Sequence, residues 1–244
     1  MGRRCCRDQP GAQRERTDQE APIYWFGQSV RVRRHHGIIL NSASGSSPDG
    51  APSGSRQALR KRLLAQREEF VAGSSFEAAY AALTRHLAKV LSELEPESLG
   101  LYWPHRSEFN AVGALVADST FAKLPISLPV SLPVSLPFAQ RAPVQMHYRA
   151  WDRQPPSTVD ECGIATASGT PVVPDVVLAP CVGFTASGYR LGYGGGYFDR
   201  WLAQHPHVTA IGVAWGLAEI ADGDFAPEPH DQPLTLIVTE LGAR

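Results

Sequence analysis

The segment of the sequence with the clearest chemical potential is rich in glycine. It covers residues 188–200 (GYRLGYGGGYFDR) and places five glycines within nine residues. An apolar run at 174–180 precedes it, and the pattern of residues 197–204 predicts a helix directly after it. A strand, a glycine-rich loop and a helix N-terminus together expose backbone N–H groups that no β-carbon obstructs, which is what a polyphosphate requires.

Two charged side chains flank this loop and suit the same purpose. Arg190 can form a bidentate contact with a phosphate. Asp199 stands where a carboxylate can hold a magnesium ion that bridges phosphate oxygens. The segment lacks the Gly-Lys-Ser/Thr of the Walker A motif, and its spacing differs from the dinucleotide pattern G-x-G-x-x-G. The prediction is nucleotide phosphate binding, with a glycine turn needed only for close packing as the alternative.

The first predicted helix carries a basic stripe that could add phosphate contacts. Helical periodicity covers residues 55–70, with Ser55 as the predicted N-cap. Arg56, Arg60 and Arg67 fall within about 40° of one another on the helix, directly beside its apolar stripe. The alternative is a basic helix whose charged face is simply solvated.

The rest of the sequence predicts an α/β fold. A second amphipathic helix covers residues 76–94. Short apolar segments follow it at residues 98–103, 124–134, 144–148, 176–180, 208–215 and 234–238. Apolar strands that alternate with helices favour a three-layer fold, with a parallel or mixed central sheet and helices on both faces. Within residues 126–138 a Ser-Leu-Pro-Val unit repeats, and its prolines are expected to exclude a central strand through the whole stretch, leaving a strand end extended by a loop.

Length and composition favour an ordinary globular protein. The chain has 244 residues, of which 43% are hydrophobic and 19% charged, and its formal net charge is −1. This balance argues against a protein dedicated to nucleic acid or to an anionic membrane surface. No apolar stretch approaches the roughly 18 to 20 residues that cross a bilayer. Residues 56–244 are expected to form a single α/β domain, after a disordered leader or a misassigned start at 1–55.

The four cysteines show neither the paired spacing of a zinc site nor the density of a disulfide scaffold, which favours the cytoplasm. Cys181 follows an apolar run and is expected to be a buried structural thiol. The histidines show no metal-ligand spacing, so the expected metal is a magnesium ion that accompanies a nucleotide.

Taken in order, these motifs resemble one known family, the 5-formyltetrahydrofolate cyclo-ligases, also called methenyltetrahydrofolate synthetases. The resemblance covers residues 56–240. It rests on a helix pattern K-x-x-L-R-(x6)-R, a P-D strand, the glycine-rich segment and a terminal E-x-H-D…T-E segment. The matching residues here are Arg56, Leu59, Arg60, Arg67, Pro174, Asp175, Pro180, Gly188 to Arg200, Glu228, His230, Asp231, Thr239 and Glu240.

The resemblance implies an enzyme that uses ATP and Mg2+. Its reaction would convert 5-formyltetrahydrofolate to 5,10-methenyltetrahydrofolate, with release of ADP and phosphate, through a phosphorylated formyl intermediate. Arg190 and Asp199 would be catalytic, and Asp199 would also bind the metal. The implied ATP contacts are Arg56, Arg60, Arg190, Leu191, Gly192, Tyr193, Gly194, Gly195, Gly196, Tyr197 and Phe198.

The same resemblance implies a folate site. Tyr102 and Glu108 match the family segment that contacts the folate, with Trp103 beside them. Met146 matches a methionine that lines the same pocket, and Tyr197 is a further candidate. An aromatic ring and a carboxylate suit a pterin, which offers a flat face together with amide and amino donors. The implied protein is a cytoplasmic monomer that binds a folate and ATP, without nucleic-acid or membrane partners.

Three positions depart from the family pattern. Arg56 stands where lysine is usual, which keeps the charge but changes its reach and geometry. Thr185 replaces a common aspartate and Ala218 a common glutamine, and both leave room for altered affinity. Two other functions stay open at this point: a module that binds folate or nucleotide without turnover, and nucleic-acid binding through the arginine-rich leader.

Overall fold

The structure is a computed structural model that describes residues 53–116, 128–221 and 223–244. The predicted leader lies outside these ranges, apart from its last three residues, which belong to the first helix. Residues 124–127 of the predicted proline-containing strand also lie outside them. The domain boundary at residue 56 stays a prediction.

Within the described residues the chain forms four α-helices and thirteen strands. The helices are α1 (Ser53–Val71), α2 (Phe76–Leu94), α3 (Ala111–Leu115) and α4 (Tyr197–Gln204). The strands are β1 (Leu99–Gly100), β2 (Val134–Arg141), β3 (Val144–Trp151), β4 (Thr158–Val159), β5 (Ala165–Thr166), β6 (Pro171–Val172), β7 (Val176–Pro180), β8 (Gly183–Thr185), β9 (Arg190–Leu191), β10 (Thr209–Val213), β11 (Glu219–Ile220), β12 (Leu236–Thr239) and β13 (Gly242–Ala243).

Eight strands build the main sheet, in the order β13-β12-β10-β7-β1-β2-β3-β6. The five strands from β12 to β2 run parallel. The strands β13, β3 and β6 pair antiparallel with their neighbours. The predicted mixed central sheet is therefore confirmed.

Helices cover both faces of this sheet. Because successive side chains of a strand point to opposite faces, β7 contributes to two cores. Val176 and Leu178 pack in the cluster that contains α2 and α3, whereas Val177 and Ala179 pack with Trp201 of α4. This arrangement confirms the predicted three-layer α/β fold.

Several predicted element boundaries agree with the structure. The bounds of α2, α4 and β7 are those that the hydrophobic patterns predicted. The helix α1 begins at Ser53, so the predicted N-cap, Ser55, instead lies inside the helix. None of the described helices is long and apolar enough to span a membrane.

A proline lies inside a strand of the main sheet. The described part of the repeat before Val134 is irregular, and β2 begins at that residue. Pro137 follows in β2, but β1 pairs with β2 only as far as Ser135. The backbone nitrogen of Pro137 points toward the β1 side of β2, beyond the last paired residue of β1. Its missing N–H therefore removes no hydrogen bond from the sheet. Its carbonyl accepts a hydrogen bond from Oγ1 of Thr166 at 2.7 Å.

A smaller sheet, in the order β11-β8-β9, supports α1. Leu59 and Leu63 of α1 pack with Val182, Leu191 and Ile220 in one buried cluster. The apolar stripe of α1 is therefore buried against the strands that lead into the glycine-rich segment.

We expect replacement of Trp215 to destabilise the fold strongly. This residue follows β10, is 1% exposed, and its ring centroid lies 5.3, 5.6 and 5.8 Å from those of Phe70, Phe76 and Phe109. Trp215→Ala should lower the free energy of unfolding by about 3–5 kcal/mol, measured by urea denaturation. The control Val130→Ala, at a side chain that is 90% exposed, should stay within about 0.5 kcal/mol of the wild type. Equal stability of the two variants would contradict this account of the core.

Candidate functional site

Three connecting segments meet at the carboxyl ends of the parallel strands. Residues 101–110 follow β1 and are called the β1 loop below, residues 181–196 follow β7, and residues 214–218 follow β10. In open α/β sheets ligands bind at this edge. The helix α1 lies over the same edge because its apolar side packs on β8 and β9.

The glycine-rich loop, residues 192–196, adopts a backbone that suits glycine. Gly194 and Gly196 have φ values of 100° and 62°, in the left-handed region. A β-carbon at Gly195 would lie 2.7 Å from the ring of Tyr197. The first intrahelical hydrogen bond of α4 joins N of Arg200 to O of Gly196 at 3.1 Å. The amides that precede it in α4 have no intrahelical acceptor, so this end of the helix favours an anion.

Arg190 and Asp199, the two predicted catalytic residues, form an ion pair in this region. Nη2 of Arg190 donates to Oδ2 of Asp199 at 2.9 Å, and both residues are buried. The guanidinium lies 4.9 Å from the ring centroid of Phe198. Oδ1 of Asp199 accepts a hydrogen bond from N of Gln232 at 3.4 Å. The structure thus brings the two residues together at the first turn of α4.

Arg60 lies over the glycine-rich loop. Its Nε donates to the carbonyl of Gly192 at 2.8 Å, and it takes part in no ion pair within the described residues. Burial, together with the charge of Arg56, lowers the pKa of Arg60. A bound anion would relieve both effects, so this guanidinium is well placed for a phosphate.

Arg56 makes its hydrogen bonds to a different segment. Its Nη2 donates to the carboxylate of Asp231 and to O of Ala226, the latter at 3.1 Å, and its Nη1 lies 3.3 Å from Oε1 of Glu228. The guanidinium also lies 4.5 Å from the ring centroid of Phe225. Burial raises the pKa of Asp231, but the hydrogen bonds from Arg56 and from the amide of Glu228 outweigh it and lower that pKa.

The β1 loop buries a carboxyl group. Glu108 is 8% exposed, and its Oε2 accepts a hydrogen bond from N of His105 at 2.8 Å. Desolvation raises the pKa of Glu108 to about 6, against the opposing effects of that hydrogen bond and the charge of Arg67. This carboxyl can accept hydrogen bonds when ionised and donate one when protonated.

Arg67 connects the β1 loop to the glycine-rich loop, and the predicted site did not include it. Nε of Arg67 donates to Oγ of Ser107 at 3.0 Å, and Nη2 donates to the hydroxyl of Tyr193 at 2.6 Å. The available signal was its place on the same helical stripe as Arg56 and Arg60. No local pattern indicated Ser107, because its role depends on the side chain of α1 above it.

The other predicted folate residues divide between two cores. The hydroxyl of Tyr102, which is buried, donates to the carbonyl of Phe109 at 2.8 Å. Trp103 is half-buried, and its ring lies edge-on to that of Trp151 at 6.1 Å. These residues belong to the α2 face of the sheet, whereas Met146 packs in the cluster on the α4 face. The structure therefore does not bring Met146 into the cluster that holds Tyr102.

The remaining loop residues support the site by packing. Leu191 is buried under α1, and Tyr197 and Phe198 pack against the cluster on the α4 face. The hydroxyl of Tyr197 accepts a hydrogen bond from Sγ of Cys162 at 3.3 Å. Cys181 is buried, as predicted, and desolvation raises its pKa to about 12.

Two departures from the family pattern have clear positions. Thr185 is buried. Its Oγ1 accepts a hydrogen bond from N of Tyr189 at 3.2 Å and lies 2.9 Å from Oγ of Ser187. It therefore closes the turn between β8 and β9, as a short polar side chain commonly does. Ala218 is buried at the end of a 3-10 helix, Gly216–Ala218.

Two other motif positions have structural contacts. Asp175 accepts hydrogen bonds from N of Glu97 and N of Ser98, at 3.1 and 2.6 Å, at the start of β7 and β1. This is the edge of the sheet opposite the candidate site. Glu240 accepts a hydrogen bond from N of Gly216 at 2.8 Å and so fixes the loop after β10.

The fold and the site define an α/β protein with a glycine-rich loop at the carboxyl edge of a mostly parallel sheet, beside a buried carboxyl group. The family model of the 5-formyltetrahydrofolate cyclo-ligase family matches residues 52–240. The chain belongs to this family, and the resemblance inferred from its motifs is confirmed.

Two curated relatives carry the family name. The 5-formyltetrahydrofolate cyclo-ligase of Mycoplasma pneumoniae is 42% identical over 67 residues, and that of Mycolicibacterium smegmatis is 37% identical over 65 residues. Each alignment covers 27% of this chain. The chain spans 39% and 33% of the length of these two relatives in the aligned segments.

Two solved structures share the fold over most of the chain. A 5,10-methenyltetrahydrofolate synthetase from Mycoplasma pneumoniae superposes with a TM-score of 0.56 at 25% identity, covering 76% of this chain and 98% of that one. The NMR structure of the Aquifex aeolicus 5,10-methenyltetrahydrofolate synthetase gives a TM-score of 0.54 at 24% identity, covering 78% and 91%.

Glu108→Gln should change the pH dependence of stability. The pKa of Glu108 is about 6 in the folded protein, against a usual 4.5, so the folded state binds the proton more tightly than the unfolded chain. This stabilisation is fully present below the unfolded pKa and is lost as the pH rises through about 6. The free energy of unfolding of the variant minus that of the wild type should therefore rise by about 2 kcal/mol from pH 4 to pH 8.

Urea denaturation of both proteins at the two pH values measures this difference. The control Glu69→Gln changes an exposed carboxyl on α1 and should show no comparable pH-dependent gain. A gain of the opposite sign for Glu108→Gln would contradict the raised pKa.

Proposed function

We propose that the protein converts 5-formyltetrahydrofolate to 5,10-methenyltetrahydrofolate, with ATP giving ADP and phosphate. The γ-phosphoryl group moves to the N5-formyl oxygen, N10 attacks the formyl carbon and loses its proton, and the C–O bond breaks as phosphate leaves. Membership of the family supports this reaction. The observation that carries it is the meeting of two loops at one edge of the sheet, one suited to phosphates and the other to a pterin.

The phosphate side of the site consists of α1 and the glycine-rich loop. Arg60, which lies over Gly192, and the amides of Gly194, Gly195 and Gly196 would bind the phosphate oxygens. Three further members of the proposed ATP set support them. Leu191 packs under α1, Phe198 lies beside Arg190, and Tyr193 is held by Arg67.

The ion pair of Arg190 and Asp199 would give the site a fixed charge arrangement. Asp199 holds the guanidinium of Arg190 in one direction, so that group meets the transferring phosphoryl group already oriented. No protein side chain needs to act as a nucleophile in this reaction, and the side chains contribute positioning and charge.

The residues at the start of α4 fit a magnesium ion shared with phosphates. Within the described residues no group of three or more histidine, cysteine or acidic side chains is placed to hold a metal. Magnesium is commonly held by one or two carboxylates together with substrate phosphates, so Asp199 is a suitable ligand. The ion would neutralise charge on the phosphate oxygens.

The folate side of the site consists of the β1 loop. Glu108, when ionised, would accept hydrogen bonds from the amide and amino groups of the pterin. Trp103 and Tyr197 are partly exposed and would offer aromatic surface to its rings. Tyr102 is 3% exposed, so it would support the pocket from behind. Met146 packs in the cluster on the α4 face, so it is left out of the proposed folate site.

The proposal includes the compartment and the partners. The protein would act in the cytoplasm as a monomer, with a folate and ATP as its ligands and without nucleic acid. Among the described residues both cysteines, Cys162 and Cys181, are free thiols, which suits a reducing compartment.

Turnover of Asp199→Asn tests the proposed chemistry. Asparagine retains hydrogen-bonding capacity toward the buried Arg190 but removes the charge, whereas alanine would leave that guanidinium buried without a partner. We expect kcat to fall about 100-fold or more, measured by the near-ultraviolet absorbance of the methenyl product together with phosphate release. The control Asp152→Asn, at an exposed position outside the site, should keep wild-type turnover. If the wild type binds both ligands but forms neither product nor phosphate, the protein is a binding module.

Arg60→Met should separate the two substrates kinetically. Loss of a charge-assisted phosphate contact should raise the KM for ATP about 10-fold or more and leave the KM for the folate close to wild type. The matched control is Arg62→Met, because Arg62 is an exposed arginine on the same helix. An equal rise in both KM values would argue against a phosphate contact for Arg60.

A further inference from the structure

A buried arginine between the two loops has no part in the chemistry described above. Arg67 is 2% exposed, and a guanidinium at such depth is normally paired with a carboxylate. Within the described residues Arg67 forms no salt bridge. Its Nη1 is buried without a hydrogen-bond partner in the same part of the chain. An apolar side chain of similar size would often pack at such a position at lower energetic cost, so stability alone does not account for Arg67.

The two hydrogen bonds of Arg67 join segments that are distant in sequence. Ser107, which accepts from Nε, is 40 residues away, and Tyr193, which accepts from Nη2, is 126 residues away. Ser107 directly precedes Glu108, and Tyr193 belongs to the glycine-rich loop. One rigid planar group therefore bridges the proposed folate and phosphate sides of the site.

Neighbouring contacts fix both ends of this bridge. Nε1 of Trp215 donates to O of Ser107 at 3.3 Å, which ties the β1 loop to the core on the α2 face. The ring of His105 lies edge-on to that of Tyr193 at 5.6 Å. The side chain of Tyr193 nevertheless remains 42% exposed. An exposed aromatic ring of the glycine-rich loop thus takes its orientation from α1 and from the β1 loop.

We propose that Arg67 is a positioning residue that couples the two sides of the site, so that nucleotide bound at the glycine-rich loop strengthens folate binding at the β1 loop. The bridge of Arg67, Ser107 and Tyr193 carries the effect, because ordering one loop orders the other. Linkage makes the effect reciprocal, so the folate strengthens nucleotide binding by the same factor. This inference rests on the proposed function, which assigns the two ligands to the two loops.

Equilibrium binding to the full chain tests the coupling without turnover. The Kd for 5-formyltetrahydrofolate is measured by calorimetry, with and without a saturating non-hydrolysable ATP analogue and magnesium. In the wild type the analogue should lower this Kd about five-fold or more. In Arg67→Met and in Tyr193→Phe the ratio of the two Kd values should fall to about 1, because each change breaks the bridge. The control Arg62→Met should keep the wild-type ratio.

The variant Tyr193→Phe keeps the test valid if Arg67→Met folds poorly. It removes one hydroxyl from a partly exposed side chain and leaves Arg67 in place. Both variants lose the same hydrogen bond, so a bridge predicts the same loss of coupling in each.

The pH dependence of folate binding gives a second readout. Loss of the Arg67 charge should raise the pKa of Glu108 further above its present value, since that charge now lowers it. The pH below which folate affinity falls should therefore move upward in Arg67→Met and stay unchanged in Arg62→Met. The titratable and charged groups that face Glu108 are Arg67 from α1, Tyr193 from the glycine-rich loop, Tyr102 after β1, Cys181 after β7 and His105 within its own loop.

The outcomes distinguish the two proposals. The role of Arg67 is overturned if the ratio of the two folate Kd values is near 1 in the wild type, or if Tyr193→Phe keeps the wild-type ratio. Neither result contradicts the proposed reaction. A wild type that binds both ligands with coupling but does not turn over overturns the proposed reaction and supports the bridge. A wild type that binds neither ligand overturns both.

Discussion

The packing of α1 on the β8–β9 hairpin is the contact on which the site depends. Leu59 and Leu63 are buried there against Val182 and Leu191. The close approach needs a glycine in β8, because a β-carbon at Gly183 would lie 2.7 Å from Cδ1 of Leu63. Once the apolar stripe of α1 is fixed, the neighbouring arginine stripe must face the loops at the carboxyl edge of the sheet. Apolar packing therefore determines where the positive charge of the site lies.

The charges of this site are only partly compensated within the protein. The whole chain has a formal net charge of −1, so the positive potential is local. Arg56 and Arg190 have carboxylate partners, whereas Arg60 and Arg67 have none within the described residues. The lowered pKa of Arg60 reflects burial and the neighbouring charge of Arg56. A phosphate that supplies negative charge at Arg60 would gain a charge-assisted contact without first breaking an ion pair.

Local patterns predicted several of the elements that carry the site, but not the β8–β9 hairpin or the contacts between elements. Hydrophobic periodicity predicted the bounds of α2, α4 and β7, and glycine content located the glycine-rich loop before α4. Apart from β1, which lies in the predicted segment 98–103, the two-residue strands and α3 were missed, because such short elements depend on pairing and burial rather than on a periodic pattern. The contacts of Arg67 were missed for the same reason, since its hydrogen-bond partners lie 40 and 126 residues away. The separation of Met146 from Tyr102 depends on which face of the sheet each residue occupies, and that is fixed only when the whole sheet is assembled.

The arginine at position 56 departs from the family pattern, and its contacts depend on the shape of its side chain. Its guanidinium reaches two carboxylates, those of Asp231 and Glu228, and lies over the ring of Phe225. A lysine has a single ammonium group and lacks the planar fork that makes these contacts together. In this chain the helix α1 is therefore tied to the segment at residues 225–231 through Arg56. Of the two arginines of this helix proposed to contact phosphate, Arg60 is the one whose guanidinium lies over the glycine-rich loop and carries no carboxylate partner among the described residues.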